Sequence, residues 1–372
     1  MQINPGLSIT RLGSKHLQIG SGYRALELTG ITEPIRTYLG HLHDGIPDGQ
    51  EHKIAEQCQV SKADFDLMMT KLAPVLVSTP FETSFVTTTD QEHRGSLARL
   101  SCVTPLFDYD RLRGLAPHSH NQFQTQRHAA ALQIFGLGRT GTALTKILLE
   151  SGVGHINVWD STRVTATDLG TGLREQDIGQ VRSLAVARAL NPVDKRPQIH
   201  PTGWLRQPAL ANLATVHISL GGVHTETIIE AKEHHQPYLP VVIRDDEIDI
   251  GPWTVQQAQA CPLCLEAAIA ETDGFRKQRT VALRASTGGI ETVAAAHLAA
   301  GLIATELLAM VDSQKLRQQV PKTEHGGVPG MNLNTYTRVH LAEGWVQTFT
   351  LQPRPGCCAA VQELKIANTS VP

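Results

Sequence analysis

Aromatic residues make up only 5% of the 372 positions, and there are only six cysteines. So few cysteines over this length exclude a disulfide-stapled secreted scaffold. Charge of one sign is missing as well. The net charge is −2, so no global field recruits nucleic acid or an anionic membrane, and neither is expected as a partner. The N-terminus lacks a basic-then-apolar signal. Together with the clustering of the cysteines, which reads as a reducing compartment, this sets a cytoplasmic location as the expectation. Long, clean apolar runs are scarce too: the nearest, Val293 to Met310, carries His297 and Glu306 and has the Ala/Leu texture of a buried helix. What is present is an ordinary hydrophobic fraction of 41%, enough for about two domains.

Residues 1–80 read as one small module. Leu17–Ile19 and Leu26–Leu28 alternate with strand period. Thr32 opens a helix with an apolar face of Ile35, Tyr38, Leu39 and Leu42, and Asp44-Gly45 ends it. Ile54 to Cys58 forms a short helix. Ser61 and Asp64 make a capping-box start for a third helix with Phe65, Met68, Met69 and Leu72, stopped at Pro74. Two or three strands with three helices predict a winged-helix-like α+β module. Residues 81–128 are less periodic and read as a linker with some helix, and His118 and His120 fall in a polar loop. From 129 to 372, strands at 131–135, 155–159, 215–220 and 238–243 alternate with helices at 140–151, 181–190, 223–234 and 287–310. That alternation predicts a Rossmann-like α/β domain with a parallel sheet. A polar hairpin follows at about 331–339 and 345–351.

The chemistry is concentrated at Leu132-Gln-Ile-Phe-Gly136-Leu-Gly138-Arg-Thr-Gly141. This is an apolar strand, a glycine turn and a helix start, with Asp160 placed 22 residues after Gly138. Glycines let a backbone approach phosphate, and an acid at this distance suits a ribose. Tight strand–helix packing demands glycine as well. Cys261-Pro-Leu-Cys264 and the distant Cys357-Cys358 have the spacing of a structural zinc site with four thiolates.

The ordered set resembles the ThiF/MoeB/HesA superfamily over about residues 129–360. It comprises the glycine turn, Gly152-Val-Gly154 through Asp160, Asp168, Gly179-Gln-Val-Arg182, Gly251-Pro252, the Cys261/Cys264 pair, an Ala/Leu-rich helix and Pro355-Gly356-Cys357. The narrower resemblance is to ThiF-like partner proteins of thiazole/oxazole-modified peptide (TOMM) biosynthesis. Their N-terminal module is similar to the peptide chaperone PqqD, as residues 1–80 are.

The resemblance implies ATP with Mg2+ and a peptide carboxylate attacking the α-phosphate. Gly136, Gly138, Gly141, Asp160 and Arg182 would be the nucleotide residues. It also marks departures. Asp168 stands where an asparagine is expected and Thr171-Gly172 where Arg-Gln is. Arg182 stands where a lysine is, and Gly221 where a metal-linked aspartate is; Arg174 and Glu226 are the nearby substitutes. The second cysteine pair also departs, with Cys358 beside Cys357 and Ala360 at the usual second position.

Catalysis is therefore expected to be lost, and no catalytic residue is assigned. The implied role is to hold a precursor leader peptide for a separate YcaO-type cyclodehydratase, with Leu26, Glu27, Leu28, Phe65, Met68, Met69 and Leu72 as the peptide surface. Relatives commonly form homodimers. The alternatives are an active adenylyltransferase and, from the glycine fingerprint alone, an NAD-dependent oxidoreductase. A DNA-binding winged helix is disfavoured because Lys62 and Lys71 are cancelled by Asp64 and Asp66.

Overall fold

The computed structural model describes residues 1–3, 7–20, 25–47, 49–77, 126–191, 198–201, 214–233, 236–255, 260–285, 291–312 and 333–354. The chain divides into two compact units, Met1–Gln126 and Arg127–Pro372.

In the first unit, β2 (Ile9–Gly13), β3 (His16–Ile19) and β4 (Leu26–Thr29) form an antiparallel sheet in that order. The two-residue strands β1 (Gln2–Ile3) and β5 (Leu76–Val77) pair with each other. The helices are α1 (Glu33–Asp44), α2 (Glu51–Gln57) and α3 (Lys62–Leu72). Pro34 suits the first turn of α1, and Gly45 ends that helix at φ +101°, donating its N–H to His41 O. Helix α3 starts as its sequence requires. Ser61 Oγ accepts from Asp64 N at 3.1 Å and donates to Asp64 Oδ2 at 2.7 Å. Tyr38, Leu42, Phe65, Met68 and Leu72 close on Ile19 and Leu28 to make this unit's core.

The second unit carries an eight-stranded sheet in the order β13-β12-β11-β10-β9-β6-β7-β8. Its parallel half is β6 (Ala131–Phe135), β7 (His155–Trp159), β8 (Ile199–Pro201), β9 (Ala214–Leu220) and β10 (Tyr238–Ile243). Strands β11 (Glu247–Ile250), β12 (Thr335–His340) and β13 (Val346–Thr350) extend it antiparallel. The helices are α4 (Arg139–Glu150), α5 (Arg182–Leu190), α6 (Thr225–Glu233), α7 (Pro262–Thr272), α8 (Arg276–Ala285) and α9 (Val293–Asp312). Strands β6, β9 and β10 are buried along nearly their whole length, as central strands covered on both faces must be.

Two expectations change. The sheet is parallel only in part, because the polar hairpin joins it through β11. The helix placed at 287–310 begins at Val293, and two helices, α7 and α8, precede it. Helix α9 also meets the length and hydropathy of a membrane span. Its Ala296, Ala299, Ala300, Ile303 and Leu307 are nonetheless fully buried in the sheet's core, so it is the core helix its Ala/Leu texture suggests.

Candidate functional site

Strand β6 delivers the chain into the glycine turn. Gly136 has φ +85°, and a Cβ there would lie 2.2 Å from Ile218 O. A Cβ on Gly141 would lie 2.0 Å from Gly136 O. Both positions are thus forced to glycine by strand–helix packing, with or without a ligand. Gly138 differs: among the described residues, the one neighbour within 4 Å of its Cβ position is Glu291 Oε2, at 3.7 Å. That carboxylate reaches the amino end of α4. Thr140 N donates to Glu291 Oε2 at 3.2 Å, and Thr140 Oγ1 donates to Oε1 at 2.5 Å. Arg139 ties the same corner, donating to Glu291 O and to Leu169 O. Burial raises the Glu291 carboxyl above its ordinary pKa, and the Thr140 bonds and Arg139 pull it partly back.

Asp160 lies beside this turn and joins it directly. Its Oδ2 accepts from Leu137 N at 2.8 Å and from Arg182 at 3.3 Å, and its Oδ1 accepts from Thr162 N and Oγ1. An ionised carboxylate has about four lone-pair sites, and these contacts use them. Arg182 makes its closer bonds to the buried Asp168, from Nη2 at 2.6 Å and Nε at 3.1 Å. Burial works against the Arg182 charge, but Asp160 and Asp168 more than offset it and leave its pKa raised. The structure therefore brings Gly136, Gly138, Gly141, Asp160 and Arg182 together, with Asp168 as a third charge.

At Gly221, φ is +72° and a Cβ would lie 2.8 Å from Thr280 Cα on α8. Gly221 O accepts from Thr280 Oγ1 and Arg244 Nη1. Arg174 and Glu226, the possible substitutes, are both exposed. A cleft of about 760 Å3 opens next to Gly221, walled by α7, α8 and the β12–β13 hairpin; Arg244, Arg276, Arg338 and Tyr336 line it. As arranged, these residues do not fit Mg2+-ATP. The ribose acid has its acceptors filled, the helix amide is held by Glu291, and the metal-linked acid is replaced by a glycine against α8.

Of the four cysteines expected to hold zinc, the two that are described suit a metal. Cys261 is the N-cap of α7, Cys264 lies in its first turn, and both are buried with Sγ atoms 3.7 Å apart. Two thiolates on one tetrahedral zinc at about 2.3 Å each are separated by about 3.8 Å. Cys357 and Cys358 lie outside the described residues, as do Cys102, His118 and His120.

In the first unit, the expected peptide surface has to be corrected. Leu28, Phe65, Met68 and Leu72 are buried in the module's own core. The spacing 65, 68, 72 sets them on the inward face of α3. Leu26 and Met69 are half-buried at its margin, and Glu27 is exposed. Leu67, which the periodicity did not single out, is 58% exposed on the outer face.

Glu291 and Thr140 escape sequence reading. Nothing local marks a glutamate 151 residues away in sequence as the partner of the turn.

Residues 109–203 match the ThiF family, a stretch that takes in the glycine turn, Asp160, Asp168 and Arg182. Among solved structures, E. coli MccB aligns at TM-score 0.65 and 15% identity, covering 96% of this chain and 95% of that one. The microcin C7 biosynthetic enzyme MccB in complex with N-formylated MccA aligns at 0.66 and 16%, covering 96% and 98%. PaaA aligns at 0.59 and 13%, covering 93% and 98%. At these identities the likeness is one of fold. The DNA damage tolerance protein RHC31 of Saccharomyces cerevisiae is 28% identical over 79 residues, 21% of this chain and 23% of that protein, so the match spans under a quarter of the relative. Family match and fold together support the ThiF/MoeB superfamily for this chain.

Proposed function

We propose that this protein binds the leader of a ribosomally made precursor peptide and presents it to a separate YcaO-type cyclodehydratase for azoline and azole formation. One observation carries this reading: the described residues of 1–77 form an α+β body with a hydrophobic core, and β4 is an edge strand of its three-stranded sheet. An extended peptide adds to such an edge through backbone bonds, with a neighbouring helix supplying side-chain contacts. Winged-helix-like peptide capture of this kind needs no chemistry from the second unit. An active adenylyltransferase is the second reading. It is favoured by the ThiF family match over the glycine turn and by the fold shared with the microcin C7 biosynthetic enzyme. A nicotinamide oxidoreductase draws support only from the glycine turn, whose two strictest glycines packing already explains.

The surface of Leu26, Glu27 and Met69 sets the test. Met69→Glu places a charge where a flexible thioether meets the peptide. We expect it to weaken leader binding by about tenfold with an unchanged circular dichroism spectrum, read by fluorescence anisotropy with labelled leader. Binding that ignores Met69 and residues 1–80 would remove this surface from consideration.

We also propose that Cys261, Cys264, Cys357 and Cys358 hold a structural zinc in a cytoplasmic protein. The four thiolates would fill the metal's coordination, and the ion would pin the C-terminal tail to α7. Elemental analysis of protein prepared without added metal should find about one zinc per chain. Free titration of all four thiols in metal-free protein would count against it.

A further inference from the structure

The nucleotide turn poses a charge problem. The amino end of α4 carries the partial positive charge and free amides that make such turns a seat for phosphate. Here the Glu291 carboxyl group already sits there, bonded to Thr140 N and Oγ1. Glu291 is 6% exposed. Burying a carboxylate is costly unless it is bonded and its charge is met. Thr140 supplies two hydrogen bonds, and the helix end and Arg139 supply positive potential.

Its position is also fixed from behind. Thr292 follows it and caps α9, its Oγ1 accepting from Ala295 N at 3.1 Å. Gly138, which strand–helix packing does not force to glycine, has only this carboxylate over it among the described residues. Like the Asp160 acceptors, Leu137 N, Thr140 N and the Arg182 guanidinium are engaged by the chain itself.

We infer that Glu291 is a built-in surrogate for phosphate: its carboxylate occupies the anion seat of the glycine turn and excludes nucleotide from it. The inference rests on the reading that this fold has left adenylation chemistry behind, and adds the group that closes the site. Removing the carboxylate should reopen the seat to a polyphosphate, whose charge then replaces that of Glu291.

The test uses the full-length protein and isothermal titration with ATP and with inorganic pyrophosphate, at constant ionic strength. Wild type should show no saturable binding up to millimolar ligand. Glu291→Ala should bind both, at least tenfold more tightly than wild type, and its melting temperature should rise with pyrophosphate. Glu291→Gln keeps the shape and the Thr140 bonds, so it stays folded if the alanine variant does not. Relief of repulsion alone should give it weaker but measurable ATP binding. Wild-type affinity equal to that of both variants, or no binding by a folded variant, overturns the proposal. Leader binding is measured on the same proteins. Its loss in wild type would defeat the peptide-binding role without touching this result, and a failed titration leaves that role standing.

Discussion

Asp312→Ala should destabilise the second unit by about 3–5 kcal/mol, the usual cost of stranding a buried charge. Arg127 enters the unit just before β6, and Asp312 ends α9; their side chains are 1% and 4% exposed. The pair is bidentate, with Arg127 Nε on Oδ1 at 2.7 Å and Nη2 on Oδ2 at 2.5 Å, and Nη1 also reaches Ser151 O. Burial drives the Asp312 carboxyl upward and Arg127 pulls it down, with burial ahead. A carboxylate at a helix carboxyl end also meets the wrong sign of the helix dipole. Arg127 is therefore what makes the acid tolerable, and the alanine variant leaves a buried guanidinium facing a void. The double change Arg127→Met with Asp312→Leu removes both charges and should recover most of the loss. Urea unfolding of wild type and the two variants decides it. A loss under about 1 kcal/mol for Asp312→Ala, the size of an exposed pair, would show that this contact carries no such weight.

The same pair marks where sequence reading stops. Local signals work where local physics decides. Ser61 with Asp64 starts a helix in any context, and an apolar run into Gly136-Leu-Gly138 needs a strand followed by a tight turn. The module core at 38, 42, 65, 68 and 72 was visible as helical spacing. Spacing alone failed to separate the margin residue Met69 from Met68, because neighbours on a helix share part of a face. Helix α7 was hidden behind Cys261-Pro262, which reads as a knuckle but is also a good helix start with proline in the first turn. Strand β11 is four residues long, with acids at two of them; Arg244 and Arg338 answer its buried Asp249 from other strands and loops. Pairings such as Arg127 with Asp312 or Thr140 with Glu291 cross more than 150 residues. They are properties of the folded sheet and leave no local pattern.

Restoring the aspartate that the superfamily resemblance expects after β9 should fail on both counts, stability and catalysis. Gly221 adopts φ +72°, where a side chain is strained by about 1–3 kcal/mol. Its Cβ would also stand 2.8 Å from the backbone of Thr280, and forcing extra atoms into such a packed contact adds about 1–3 kcal/mol. Helix α8 cannot simply retreat. Thr280 and Arg284 are bonded to the carbonyls of Gly221 and Gly222, and Arg276 is paired with Glu266 on α7. Gly221→Ala, which adds the Cβ without charge, should therefore suffer most of the loss seen in Gly221→Asp, measured by thermal or urea unfolding. Neither wild type nor Gly221→Asp should exchange pyrophosphate into ATP above background, with Mg2+ and peptides ending in a free carboxylate, because Glu291 and the saturated Asp160 still close the site. A well-folded Gly221→Asp variant with robust exchange, abolished by Asp160→Ala, would reverse the argument. The site would then be one acid short of an adenylating enzyme, and the glycine the sole reason for its silence. The crowding of α8 against Gly221 argues otherwise, since the space an acid and its metal would need there is taken by helix backbone.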